Sequence, residues 1–248
     1  MASGSDGNCY RVSDGETAVL LDAGISLKRI RAGCDFNLGG ISGCLVTHCH
    51  GDHTKAVKDL LDAAVEVYMP EGEIPETKAL KGMLKHHRLH PLNTDFWAMP
   101  LENPWGTHYS VFDLGTLQIL PFPTEHDTPE PVGYLIYSTV TGEKLLYFTD
   151  TFYVNVRFAE LTHIIGEINY DRETLWEKVE SKETPAVRAK RLFSTHMSLE
   201  TFTDFLRSIG NPETIRQIYI CHMSDDHGDE AKIRETVQRI TGAEVYVC

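Results

Sequence analysis

The stretch CLVTHCHGDHTKAV, residues 44–57, limits the possible folds more than any other part of the chain. The run GCLVTH (43–48) reads as a buried strand that ends on His48. His50, Asp52 and His53 follow at once, and Val57, Leu60, Leu61 and Ala64 then mark the apolar face of a helix that begins near Asp52. A strand that delivers imidazoles straight into the first turn of a helix makes a rigid corner lined with metal-type donors. Imidazole and carboxylate at this density suit Zn²⁺, with Mn²⁺ or Fe²⁺ as alternatives. Four such side chains are too many for one catalytic ion that must keep a position open. They fit two ions sharing one loop.

The rest of the chain supplies similar donors in similar places. His126 ends the strand-like PFPTEHD, Asp150 ends LLYFTD and His222 ends IYICHM. Further strands are expected at 17–24, closed by Gly24, at 65–69, at 162–169 and in the last segment, AEVYVC. Helices are expected between Pro75 and Pro91, across 172–193 with an interruption at Pro185, over 199–209 ending at Gly210, and over 230–241. Residues 91–110 read as an irregular aromatic loop. Strands interspersed with helices give an α/β layered class, and the 248 residues suit a single domain over 1–248.

Composition narrows the function. Basic residues number 23 against 36 acidic ones, a net charge of −13, which disfavours a nucleic-acid partner in the absence of a local basic patch. No run of 18 apolar residues suggests a membrane span, and the polar start MASGSDGNCYRVSDG carries no signal-peptide core. The six cysteines (Cys9, Cys34, Cys44, Cys49, Cys221 and Cys248) form no CxxC pair, so a reducing cytoplasm is the simplest setting.

HCHGDH, with His126, Asp150 and His222 following at spacings of 73, 24 and 72 residues, resembles the metallo-β-lactamase superfamily. That resemblance implies an αββα sandwich with a binuclear metal site at one rim, here two Zn²⁺ per chain with Mn²⁺ as an alternative. It implies that His48, His50 and His126 hold one ion, that Asp52, His53 and His222 hold the other, and that Asp150 bridges them. An Asp at 150, where a Cys would be expected, points away from true β-lactamases. ASGSDGN (2–8), EHDTPEPVGY (125–134), TDT (149–151), EINYD (167–171), STHMS (194–198) and CHMSDDHGD (221–229) resemble the subgroup of WalJ/YycJ-type nucleases and phage anti-Pycsar phosphodiesterases, relatives of RNase Z. In that subgroup the ASGS…GN segment follows a first strand, whereas here it begins at residue 2.

By this resemblance the expected activity is hydrolysis of 3′,5′-cyclic mononucleotides to 5′-monophosphates, countering Pycsar anti-phage signalling, in the host cytoplasm if the chain is phage-encoded. The alternatives are a WalJ/YycJ-like DNA exonuclease, another small hydrolysis such as thioester or lactone opening, and a non-catalytic metal-binding module. His196 in STHMS, 26 residues before His222, is the expected proton donor, and Asp52 is the other expected catalytic residue. The competing reading of His196 is a structural histidine at a helix start. RNase Z orients this histidine with a Glu three residues before the bridging Asp; here that position is Tyr147, so the orientation must come from elsewhere. Cys49 and Cys221 flank ligand histidines and are expected to point away. Lys81, Lys85, His86, His87, Arg88 and His90 are either a solvated helix end or a phosphate contact. The aromatic loop 96–109, with Trp105, His108 and Tyr109, is the candidate base-stacking lid, set against a plain core or dimer contact. Anti-Pycsar relatives are homodimers with such a lid, so a homodimer is expected.

Overall fold

The computed structural model describes residues 2–4, 6–92 and 111–248. They fall into two compact units: Met1–Pro123 with Thr128–Gly142, and Thr124–Asp127 with Glu143–Cys248.

In the first unit a five-stranded sheet runs in the order β1 (Tyr10–Ser13), β2 (Ala18–Leu21), β3 (Gly43–Leu45), β4 (Val67–Pro70), β5 (Leu89–Leu92). β1 and β2 are antiparallel and the other neighbours are parallel. All residues of β2 and β3 are buried, as continuous apolar runs in parallel strands should be. Leu20, Val46, Val67 and Met69 meet Ile30 of α1 (Leu27–Gly33) and Leu60 of α3 (Val57–Asp62) in one core. The helix expected from Asp52 is two pieces, α2 (Gly51–Thr54) and α3. The Ala56 amide donates to the Ala23 carbonyl at 2.8 Å, which draws the chain out of its helical ladder between them. A Cβ on Gly24 would lie 1.5 Å from the Asp52 carbonyl oxygen, so only glycine lets the end of β2 approach α2 this closely.

The helix expected between Pro75 and Pro91 does not form. The segment holds only a 3₁₀ turn at Lys78–Leu80, Gly82 turns the chain at φ +86°, and Leu89–Leu92 joins the sheet as β5. Burying Leu80 and Leu89 in the core outweighs the helical period, and Leu84 is left exposed. β6 (Phe112–Leu114), β7 (Leu117–Pro123) and β8 (Val132–Ser138) form an antiparallel meander.

The second unit is built on four parallel strands, β9 (Lys144–Phe148), β10 (His163–Glu167), β11 (Gln217–Cys221) and β12 (Glu244–Val247). Its helices are α4 (Arg172–Glu180), α5 (Ala186–Thr195), α6 (Leu199–Ser208) and α7 (Glu230–Thr241). Asp171, Ser198 and Asp229 cap α4, α6 and α7 by accepting an amide hydrogen three residues on. Pro185 separates α4 from α5, and Gly242 ends α7 in the left-handed conformation. Among the described residues no helix is long and apolar enough to cross a membrane.

Asp14, in the turn between β1 and β2, ties the first unit together. Its carboxylate accepts from the Thr17 amide (2.8 Å), the Glu16 amide (3.0 Å), the Thr116 hydroxyl (2.6 Å) and the Ser138 hydroxyl (2.8 Å). Partial burial opposes ionisation, but these hydrogen bonds together hold the carboxyl well below the usual carboxylate range. A carboxylate depressed in the folded state stabilises above its unfolded pKa of about 4 and loses that contribution as pH falls through the folded value. Asp14→Ala should therefore lower the melting temperature at pH 7 by about 2–4 °C, the shift for roughly 1 kcal/mol in a chain of this size. The gap between variant and wild type should narrow in melts at pH 3; a gap unchanged by acid would refute the assignment.

Candidate metal centre and proton donor

The first unit gathers His48, His50, Asp52 and His53 where β3 hands over to α2. Behind them sits Asp22, fully buried at the end of β2, with φ +57°. One Asp22 oxygen lies 2.8 Å from His53 Nδ1. The Thr47 amide (2.8 Å) and hydroxyl (3.0 Å) donate to the other. The Thr47 hydroxyl hydrogen is thus committed to Asp22, so its oxygen accepts from His48 Nδ1 at 3.0 Å. One buried carboxylate therefore orients two imidazoles, His53 directly and His48 through Thr47, and keeps Nδ1–H on both rings. Nε2 of each ring is left as an electron-pair donor. His48 Nε2 stands 3.1 Å from His50 Nδ1, and His53 Nε2 stands 3.5 Å from Asp52 Oδ2 and 3.1 Å from the Asn8 side-chain amide. Ring nitrogens and a carboxylate at these separations are the donor chemistry of a divalent transition-metal site.

The second unit gathers Asp150, Glu167, His196 and His222, whose donor atoms all lie within 4.8 Å of one another. Asp150 follows β9, Glu167 ends β10, His222 follows β11, and His196 directly follows α5. Asp150 and His222 both adopt positive φ, 48° and 53°, which turns each side chain off its strand axis. Glu167 Oε1 lies 2.6 Å from His196 Nδ1 and 3.2 Å from His222 Nδ1, while its other oxygen accepts the Thr151 amide at 3.0 Å. Burial alone would lower the His196 pKa; the Glu167 carboxylate, with Asp150 adding to it, more than offsets that and holds it above the ordinary histidine value. Glu167 is depressed in turn: its complete burial favours the neutral acid, but His196 outweighs this. The buried carboxylate thus favours the protonated form of the imidazole it holds, with the Nε2 side of the ring not engaged by Glu167. The rings of His196 and His222 stack at 5.2 Å, and the His126 ring lies 5.9 Å from that of His196.

The structure thus brings the expected N-terminal donors into one set and Asp150, His196 and His222 into another, with His126 beside the second. Three residues escaped the reading of the sequence. Asp22 and Thr47 stood in plain view, as an acid closing VLLDAG and a threonine before the first histidine. Glu167, inside the recognised EINYD, supplies the orientation that Tyr147 does not. The Cys49 thiol is pushed up to about 12 by burial and by Glu73, so it remains protonated between its histidine neighbours. Cys221 is fully buried and its thiol is likewise raised by that burial. In the basic patch, Arg88 and His90 both pair with Glu66. Trp105, His108 and Tyr109 of the candidate lid lie outside the described residues.

Comparison with known proteins agrees with this arrangement. The family model described as "Beta-lactamase superfamily domain" matches residues 17–223. Exodeoxyribonuclease YycJ of Bacillus anthracis is 28% identical over 253 residues, covering 97% of this chain and 87% of that protein. Among solved structures, the metallo-beta-lactamase fold protein YhfI from Bacillus subtilis superposes with a TM-score of 0.67 at 14% identity, over 99% of this chain and 93% of that one. The short form of human tRNase Z gives 0.63 at 16% identity, with the same coverage. Mixed strands and helices, histidine–carboxylate donor sets at strand ends and a match across most of its length establish that this chain belongs to the beta-lactamase superfamily domain family, as a metallo-β-lactamase-fold hydrolase related to WalJ and YycJ.

Proposed function

We propose that the chain is a metal-dependent phosphodiesterase that opens 3′,5′-cyclic mononucleotides to 5′-monophosphates. The observation that carries this reading is the His196–Glu167 pair. Cleaving a phosphodiester expels an alkoxide, which needs a proton as it leaves. A histidine held above its ordinary pKa, with Nδ1 pinned to a carboxylate, keeps Nε2–H available for that transfer. A thioester, whose thiolate leaves unaided, makes no such demand.

His48, His50 and His126 would hold one divalent ion, Asp52, His53 and His222 a second, and Asp150 would bridge; this division rests on the family resemblance. Bound Zn²⁺ or Mn²⁺ supplies Lewis-acid stabilisation to a phosphoryl oxygen and acidifies water. The chain's own groups do the rest. Water adds in line to phosphorus with Asp52 as the candidate acceptor of its proton, the P–O3′ bond breaks, and O3′ takes the proton from His196. The net charge of −13 favours a small phosphodiester over a polynucleotide. Removing such second messengers would counter cyclic-nucleotide anti-phage signalling. A second reading, DNA exonuclease activity, is favoured by the relative named exodeoxyribonuclease YycJ.

Zinc-loaded protein should contain two Zn²⁺ per chain by elemental analysis and the Asp150→Ala variant fewer; one Zn²⁺ per wild-type chain with full activity would remove the binuclear reading. His196→Ala should lose about 10²–10⁴-fold in kcat on a cyclic nucleotide while keeping its metals. Its loss on a nitrophenyl phosphodiester, whose leaving group needs no proton, should be far smaller. Glu167→Gln should follow the same pattern more mildly, and equal losses on both substrates would rule out proton donation by His196. The substrate is decided by offering cyclic AMP, GMP, CMP and UMP beside 5′-phosphorylated duplex DNA. Efficient digestion of the DNA with the cyclic nucleotides left intact would install the exonuclease reading instead.

A further inference from the structure

Glu73 is a fully buried acid outside both donor sets. It sits in a 3₁₀ turn, Glu71–Glu73, that follows β4. One carboxylate oxygen accepts the Cys49 amide at 2.9 Å, between the two histidines of HCH, and the other accepts the Glu130 amide at 2.6 Å. The contact is returned: Glu130 Oε2 accepts the Gly72 amide at 2.7 Å. A Cβ on Gly72 would meet that same oxygen at 2.9 Å and the Glu130 Cβ at 3.1 Å, so the two segments close on each other only because residue 72 has no side chain. The turn is further tied by the Thr77 hydroxyl, which donates to the Glu73 carbonyl at 2.8 Å.

We infer that Glu73 is a positioning residue: a buried carboxylate that braces the backbone of the 48–53 ligand loop from behind and latches it to the 128–131 segment through Glu130. The physical case is the cost of the alternative. A carboxylate removed from water must be met by donors, and here both oxygens are met by backbone amides, one of them inside the ligand loop. Asp22 sets the rings of His48 and His53, whereas Glu73 sets the backbone that carries them. A carboxamide of equal size cannot accept at both ends, because its NH₂ group would face an amide donor. This inference deepens the metal-site reading and rests on it for its consequence, not for its geometry.

The test compares Glu73→Gln with wild type in two measurements. In metal-free protein, hydrogen exchange at the Cys49 and Glu130 amides should speed up by about tenfold or more, reporting the loop itself. In zinc titrations against a chelating dye, the dissociation constant should rise about 10–100-fold, as for other groups that support metal ligands from behind. Asp14→Ala, outside the loop, serves as the stability control and should leave zinc affinity unchanged and speed exchange at these amides less than Glu73→Gln does. Wild-type exchange at both amides in Glu73→Gln would overturn the inference, as would equal weakening of zinc by the Asp14→Ala control. If wild-type protein bound no zinc, the metal reading would fall while the exchange result still decided the role of Glu73.

Discussion

A single buried carboxylate, Asp22, is the interaction on which the first donor set depends. Burying a charge without partners is prohibitive, and Asp22 meets the demand with the Thr47 amide, the Thr47 hydroxyl and the His53 ring. Each of those partners belongs to the histidine-rich corner, so satisfying the charge and orienting the imidazoles are the same act. The close approach of Gly24 to Asp52 follows from the same geometry, since β2 must end near α2 for Asp22 to reach His53. Removing the acid would leave the imidazoles without a fixed tautomer, and removing an imidazole would leave a buried charge short of a donor.

The second unit solves a parallel problem with Glu167. Its buried charge is met by His196, His222 and the Thr151 amide, each attached to a different segment of the chain. Here the carboxylate does more than orient. It is close enough to His196 to favour the imidazolium, which suits a proton donor, whereas in the first unit Asp22 holds Nδ1–H on His48 and His53 and leaves Nε2 as a metal-type donor. Both units therefore place a buried acid at a strand end against imidazole rings, Asp22 beside His53 and Glu167 beside His196 and His222.

The sequence by itself determined the set of donor side chains and the family. HCHGDH, His126, Asp150 and His222 are donor types whose density and placement after apolar runs point to metal chemistry, and their pattern was enough to indicate the family. The helix interruption at Pro185, the end of the last helix at residue 241 and the burial of GCLVTH were legible too, because they depend on local backbone restrictions and on continuous apolarity. What only the tertiary structure decided were the partners and the angles. Glu167 takes the role expected of the position held by Tyr147 because β10 lies beside β9 in the parallel sheet, and strand order is not written in local spacing. Asp22, Asp150 and His222 adopt positive φ, a conformation that no residue type there requires and that only packing around a strand end imposes. The segment between Pro75 and Pro91 carries a helical period yet gives a turn and a strand, because β4 offered Leu89 an edge to pair with and the core buried Leu80. Periodicity reports which side chains prefer to be buried; the neighbours available to bury them are fixed only when distant segments meet.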